Sequence, residues 1–332
     1  MARKLLTEGG KLFGHRAERV TTGEMNQIFK ELESTLAGLF SKFKLSKALP
    51  SKQDHGDIDI VVNGNGKDIT QTLKVELGNS VVDYSKNGNI YSVLFKSRNG
   101  KTVHVDFINA NDDAYDAQYD YLSYNDFSGV LGVFARKIHF SYGTEGFTKI
   151  YIDKKGQLHY IPLTKNLRDG LKIMGYAHVL PKFDHIQNPG DVAEFIASTD
   201  LFDSKYLSGD DMNRSDRKRI RVGRSLANEI KDKLVDLNKT RTQPDEDHYL
   251  KTLFPEKYKE LVTKANEIEN KTVPKSTYSG KWVMANFPQL KPGPIIGKIT
   301  LYLFTKFGDK LEATPEAEVK AAVEEYIKTA QG

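Results

Sequence analysis

Apolar side chains recur along the first part of the chain at Met25, Ile28, Phe29, Leu32, Leu36, Leu39, Phe40 and Phe43. Their spacing puts them on one stripe of a helix over residues 22–43, with Thr21 or Thr22 as its N-cap. A turn-rich passage, 45–56, separates that helix from DIDIVV at 57–62, a β-branched run that reads as a strand and is broken at 63–66. A short helix is expected over 67–77. Two Asn-Gly dipeptides, Asn87-Gly88 and Asn99-Gly100, then predict a three-stranded meander: 81–84 against 89–96, followed by 101–109.

The pattern changes after residue 110. A helix is expected over 126–140, capped by Asn125 or Asp126, and a hairpin over 147–161 turning at 154–156. From Thr164 onward the period is helical, at 165–174, 191–198, 215–237, 245–269 and 314–329. Pro181, Pro189, Pro244, Pro255, Pro274, Pro288, Pro292 and Pro294 punctuate these segments. No internal repeat or low-complexity tract interrupts them. The expected class is α+β: a head built on a small mixed sheet, then a mostly α-helical C-terminal region.

With 332 residues, 39% hydrophobic and 28% charged, the composition is that of an ordinary globular chain of about two domains. There is no cysteine, which excludes disulfide scaffolds, thiolate metal sites and cysteine nucleophiles. Residues 1–14 are basic without an apolar stretch, and no apolar run approaches a membrane span. A soluble, cytoplasmic protein is expected, in the host cytoplasm if a virus encodes it. The net charge of +5 conceals a division. Residues 48–126 carry 7 basic and 12 acidic side chains, whereas 1–47 carry 9 and 5, and 127–332 carry 33 and 27. An acidic island between basic segments suggests a cation site in a protein that handles a polyanion.

The island contains GDID at 56–59 and a third carboxylate, Asp106, within VHVDFI. Residues two apart on a strand share a face, so Asp57 and Asp59 project together. Asp106 lies between Val103, Val105 and Phe107, where an unpaired carboxylate is costly. Three convergent oxygen donors on rigid strands suit hard divalent cations, two of which can activate a hydroxyl and steady a leaving pyrophosphate.

A helix, a small-residue loop, G-D-x-D on a strand and a distant aspartate on a later strand resemble the DNA polymerase beta-type nucleotidyltransferases. The resemblance covers residues 22–110. It extends loosely through YNDFSGVLGVFARKI, 124–138, which is similar to nucleotidyltransferases encoded by large bacteriophages. In that superfamily Gly-Ser precedes the paired aspartates, and the serine binds the triphosphate. Here the stretch is LSKALPSKQDHGDID, 45–59, in which Ser46 matches the serine and Leu45 replaces the glycine, with Ser51 as the alternative. The resemblance implies Mg²⁺ (two ions, with Mn²⁺ as a substitute) at Asp57, Asp59 and Asp106, the same three residues being catalytic. It implies a nucleoside triphosphate contacted by Ser46, Lys47, Gly56, Arg136 and Lys137.

Residues 290–327, LKPGPIIGKITLYLFTKFGDKLEATPEAEVKAAVEEYI, resemble the C-terminal tail of bacterial tRNA CCA-adding enzymes and poly(A) polymerases. Gly293 and Gly297 there would let backbone amides approach a phosphate at a helix N-terminus. A tight helix entry without ligand is the plain alternative. The family's base-selecting arginine and aspartate have no counterpart that can be placed in this chain. NRSDRKRIRVGRS, 213–225, holds Arg214, Arg217, Lys218, Arg219, Arg221 and Arg224 without aromatics, a pattern for phosphate-backbone contact. A solvated helix end is the ordinary alternative. GNGK, 64–67, lacks the spacing and the Ser/Thr of a phosphate loop. The histidines show no metal-ligand spacing, His55 and His104 are expected to support the carboxylates, and Trp282 is expected in a core.

Together these readings divide the chain into a nucleotidyltransferase head (1–125), a helix-and-hairpin neck that binds nucleotide (126–180) and a helical, basic, RNA-binding tail (181–332). The expected activity is template-independent, Mg²⁺-dependent addition of nucleotides to an RNA 3′ end, tRNA included, with release of pyrophosphate. Transfer to a small molecule or a protein is one alternative. A catalytically idle RNA-binding module of the same fold is the other.

Overall fold

The computed structural model describes residues 12–124, 126–207, 226–271, 276–290 and 293–331. Its strands are β1 (Val20–Thr21), β2 (Phe43–Leu45), β3 (Asp54–His55), β4 (Ile58–Asn63), β5 (Val81–Asn87), β6 (Ile90–Lys96), β7 (Thr102–Ala110), β8 (Phe140–Gly143), β9 (Gly146–Ile152) and β10 (Leu158–Thr164). The helices of the first half are α1 (Thr22–Leu39), α2 (Thr70–Leu77), α3 (Tyr115–Leu122), α4 (Phe127–Lys137), α5 (Leu167–Ile173), α6 (Leu180–Phe183) and α7 (Pro189–Ala197). Those that follow are α8 (Leu226–Asp236), α9 (His248–Leu253), α10 (Pro255–Lys271), α11 (Gly280–Asn286), α12 (Pro294–Phe307) and α13 (Glu316–Gln331). The chain is α+β, a mixed sheet followed by a helical C-terminal region. None of the described helices is long and apolar enough to cross a membrane.

The central sheet has the order β2-β4-β7-β6-β5. Within it β4 and β7 run parallel, while β2–β4, β7–β6 and β6–β5 are antiparallel. Its hairpin turns are where Asn-Gly places them, with Gly88 and Gly100 at positive φ. Alternation sorts the two faces. Ile58, Ile60 and Val62 of β4, with Val103, Val105 and Phe107 of β7, join Met25, Ile28, Leu32 and Leu36 of α1 and Leu73 of α2 in one core. The opposite register of the same strands, Val61, Ile108 and Ala110, packs with Tyr115 of α3. Asp59 and Asp106 belong to this second register.

Helix α1 starts at a reciprocal cap: Glu24 N donates to Thr21 Oγ1, and Thr21 N donates to the Glu24 carboxylate. Such a cap contributes about 1 kcal/mol. The helix ends at Leu39, earlier than its apolar period suggests, because Phe40 turns to extended backbone and Phe43 enters β2 opposite Val62. The continuous helix expected over 245–269 is broken. Phe254 leaves helical backbone, with φ −135° and ψ 57°, and Pro255 opens α10, since the residue before a proline avoids helical backbone. A second sheet, β10-β9-β8, contains the hairpin expected over 147–161, and β1 pairs with β3 in a two-stranded sheet.

The chain resolves into two compact units, residues 1–151 with 160–261, and residues 152–159 with 262–332. The functional boundaries expected at 125 and 180 both fall inside the first unit. The second unit has its own core of Tyr278, Val283, Phe287, Ile296, Ile299, Leu303, Val319 and Val323, against which Trp282 packs.

Candidate functional site

Asp57 immediately precedes β4, Asp59 is its second residue, and Asp106 is the directly opposite residue of β7. Parallel pairing of the two strands therefore brings residues 47 positions apart side by side. A ligand atom from each of Asp57, Asp59 and Asp106 lies within 4.8 Å of the others, and all three residues are half-buried. Burial pushes the Asp59 carboxyl well above the usual carboxylate range, and the charges of Asp57 and Asp106 push it further. Burial and the charge of Asp106 raise Asp57 too, less strongly. Three convergent carboxylates, two of them held back from ionising by burial and like charge, are a donor set that suits a hard divalent cation.

His104 sits two residues before Asp106 on the same strand face. Its Nε2 is 2.7 Å from Asp106 Oδ1, and its side chain is 4% exposed against 16% for Asp106. Burial alone would lower the His104 pKa, but the hydrogen bond and charge of Asp106 prevail and raise it. His55, the end of β3, takes a different partner. Thr22 Oγ1 donates to Lys52 O at 3.0 Å, so the 3.0 Å contact between Thr22 Oγ1 and His55 Nε2 has the imidazole as donor. Burial lowers the His55 pKa and keeps the ring neutral. His104 thus holds a carboxylate of the trio, whereas His55 ties β3 to the start of α1 and lines the pocket described next.

Beside the carboxylates is a pocket of about 280 Å³ whose walls include Ser46, Lys47, Lys52, His55, Asp57, Asp59, Tyr121, Asp126 and Ser128. Ser46 follows β2 and donates its backbone N–H to Asp59 O at 2.9 Å, which fixes the loop against the strand bearing the aspartates. Leu45, where the resembling family has glycine, packs on the α1 core. Lys47 N donates to Ser123 Oγ, and Lys47 Nζ reaches the Tyr124 hydroxyl at 3.4 Å, with the ammonium 5.6 Å from the ring centroid. Ser46, not Ser51, lines this pocket; Ser51 N donates to Gln187 O instead. Gly56 is buried between β3 and β4.

The remaining expected residues are placed elsewhere. Arg136 and Lys137 end α4, whereas the pocket is walled by that helix's start, about 10 Å away along the axis. Gly293 caps α12 and Gly297 lies in its first turn; a methyl group at either would meet nothing within 4 Å, so packing does not require glycine there. Arg214, Arg217, Lys218, Arg219, Arg221 and Arg224 lie outside the described residues. Sequence reasoning overlooked Lys52, Tyr121, Asp126 and Ser128. Lys52 was legible, being the basic residue nearest the paired aspartates on the N-terminal side. The others reach the pocket only through the packing of α3 and α4. No protein-family model matches this chain, and no curated protein matches its sequence.

Proposed function

We propose that this protein is a divalent-cation-dependent nucleotidyltransferase that extends an RNA 3′ end from nucleoside triphosphates. The observation that carries the reading is the convergence of Asp57, Asp59 and Asp106, from two parallel strands, beside a pocket lined by Ser46, Lys47 and Lys52. Asp57, Asp59 and Asp106 would hold Mg²⁺, which would supply the Lewis acidity to activate the attacking hydroxyl and offset charge on the leaving pyrophosphate. Ser46, Lys47 and Lys52 bind the triphosphate, with Lys47 steadied by Tyr124. Asp106 serves the acceptor hydroxyl, with His104 holding its carboxylate in place. The RNA 3′ oxygen bonds to the α-phosphorus as the bond to pyrophosphate breaks, and the hydroxyl proton passes to solvent or a carboxylate. The basic run at 213–225 contacts the acceptor's phosphates.

The test is incubation with Mg²⁺, each labelled nucleoside triphosphate, and tRNA, generic RNA or DNA primers. Extended RNA is the expected product. Asp57→Ala, Asp59→Ala and Asp106→Ala should each lower turnover by at least 10³-fold, on the order of the 4 kcal/mol of charge stabilisation that a metal site supplies. Near-native turnover in any one variant removes that residue from the assignment. Label appearing only on a small molecule or a protein replaces the acceptor. No transfer to any acceptor leaves the idle binding module.

A further inference from the structure

A second cavity, of about 300 Å³, opens at the other end of the parallel strands. Its walls come from the loop after β4 (Gly66, Asp68), β5 (Lys86), the β5–β6 turn (Gly88, Asn89), β6 (Tyr91), β7 (Asn109), the β7–α3 connection (Asn111, Ala114), α3 (Gln118) and the β8–β9 turn (Glu145). Asp106 lies three residues before Asn109, so the cavity is roughly 10 Å along β7 from the carboxylate trio. Ligands of open α/β sheets commonly sit beyond the carboxyl ends of parallel strands, and β4 and β7 both end here.

The frame is tightly built. Gly64 N donates to Asn109 Oδ1 at 2.9 Å, Asn109 Nδ2 donates to Lys67 O at 2.8 Å, and Asn89 Nδ2 donates to Asn109 O at 3.0 Å. A methyl group at Gly64 would come within 2.4 Å of Asn109 Oδ1, so the loop after β4 is pressed against this amide. Within that frame Gln118 stands out. It is only 7% exposed, yet its carboxamide hydrogen-bonds to no other described residue and lines the cavity. Its polar atoms are not sealed inside the protein but face the cavity, where a ligand with matching donors and acceptors can bond them. Asn111 and Glu145, both exposed, also line the cavity and add a second carboxamide and a carboxylate.

From these groups we infer a binding site for a small, uncharged, polyhydroxylated ligand, a monosaccharide or similar sugar. The chemistry discriminates among ligand classes. A phosphate or other anion is disfavoured, because Lys86, the lining cation, is held by Asp68 at 2.6 Å and by the Tyr91 hydroxyl. Asp68 and Glu145 would moreover repel it. A nucleobase needs flat apolar faces, and the lining aromatic, Tyr91, is buried with the Lys86 ammonium 5.0 Å from its ring centroid. Sugar hydroxyls both donate and accept. They match two carboxamides and a carboxylate, the latter accepting from a pair of neighbouring hydroxyls.

Ligand-observed saturation-transfer NMR on the full chain, with glucose, galactose and ribose as probes and free adenine, cytosine and inorganic phosphate as contrasts, tests this directly. At least one sugar should show transfer, and Gln118→Leu and Glu145→Gln should each weaken its binding tenfold or more. Leucine matches the buried shape of Gln118 without its amide, and both variants should keep the native melting temperature and Mg²⁺ response. RNA extension should be unchanged in both, since neither residue touches the carboxylate trio, so this proposal and the nucleotidyltransferase reading stand or fall separately. Transfer to adenine, cytosine or phosphate but to no sugar would overturn the ligand class. Absence of transfer to all probes, or sugar binding indifferent to both substitutions, would overturn the site.

Discussion

The carboxylate of Asp59 is held in a setting that opposes its own ionisation. Its pKa is raised in the folded protein above the unfolded value of about 3.9, so the folded state binds the extra proton at intermediate pH. The protonated form's stability is therefore present below the unfolded value and is lost as pH rises through the folded one. His104, raised by its Asp106 partner, acts in the same direction. In EDTA the protein should melt several degrees lower at pH 8 than at pH 5. Asp59→Asn should raise the pH 8 melting temperature, at about 2–4 °C for each kcal/mol recovered, and remove most of the response to Mg²⁺. An unchanged pH profile in this variant would mean that Asp59 is not the strained group. His104→Leu should weaken Mg²⁺ binding by about 10–100-fold in calorimetry while His104→Gln, which keeps a hydrogen bond to Asp106, loses less.

Among the elements, the meeting of α5 with β9 leaves the least room. A methyl group at Gly170 would sit 2.0 Å from the Phe147 ring, which itself stacks on Tyr142 at 4.2 Å. Gly170→Ala should cost about 1–3 kcal/mol in denaturant unfolding despite alanine's better helix propensity, and Phe147→Leu in the same background should return part of it. A neutral Gly170→Ala would show that the contact yields freely. This contact also marks where the sequence stops being legible. Asn-Gly turns, β-branched runs and the α1 stripe are local signals, and they locate β4 to β7 to within a few residues. The pairing of β4 with β7 rests on alternation, which the paired Asp57 and Asp59 already display. Helix α3 is rich in Tyr and Asp with little apolar period and takes its shape from packing Tyr115 on Val61 and Ile108, so no window of sequence announces it. Gln118 and Tyr121, which α3 carries to the two cavities, were invisible for the same reason. Phe40 and Phe43 misled in the opposite sense, continuing a helical period after the backbone had turned toward β2.

For the whole molecule the question is whether charge is divided by task. The acidic island of residues 48–126 contains the three carboxylates, and the basic excess lies on either side of it. Neutralising Arg217, Lys218 and Arg221 together should weaken RNA binding with little regard to sequence. It should also flatten the dependence of log affinity on log salt by roughly one unit for each phosphate that the protein no longer neutralises. Nucleoside triphosphate affinity should be unaffected. Identical salt dependence in the two proteins would return the run to an ordinary solvated segment, and a collapse of triphosphate affinity would move it into the nucleotide site.

The side-by-side placement of Asp59 and Asp106 makes the carboxylate trio a reader of length differences between related genes. The two residues meet only because β7 enters its ladder with even-numbered side chains on the α3 face. Residues added or removed at the 97–101 turn leave that parity intact, since the strand still begins at Thr102. One extra residue between Thr102 and Asp106 inverts it, turning the carboxylate into the α1 core and an apolar side chain toward Asp59. Insertions of any size should therefore be tolerated at that turn, and single-codon changes a few positions downstream should not.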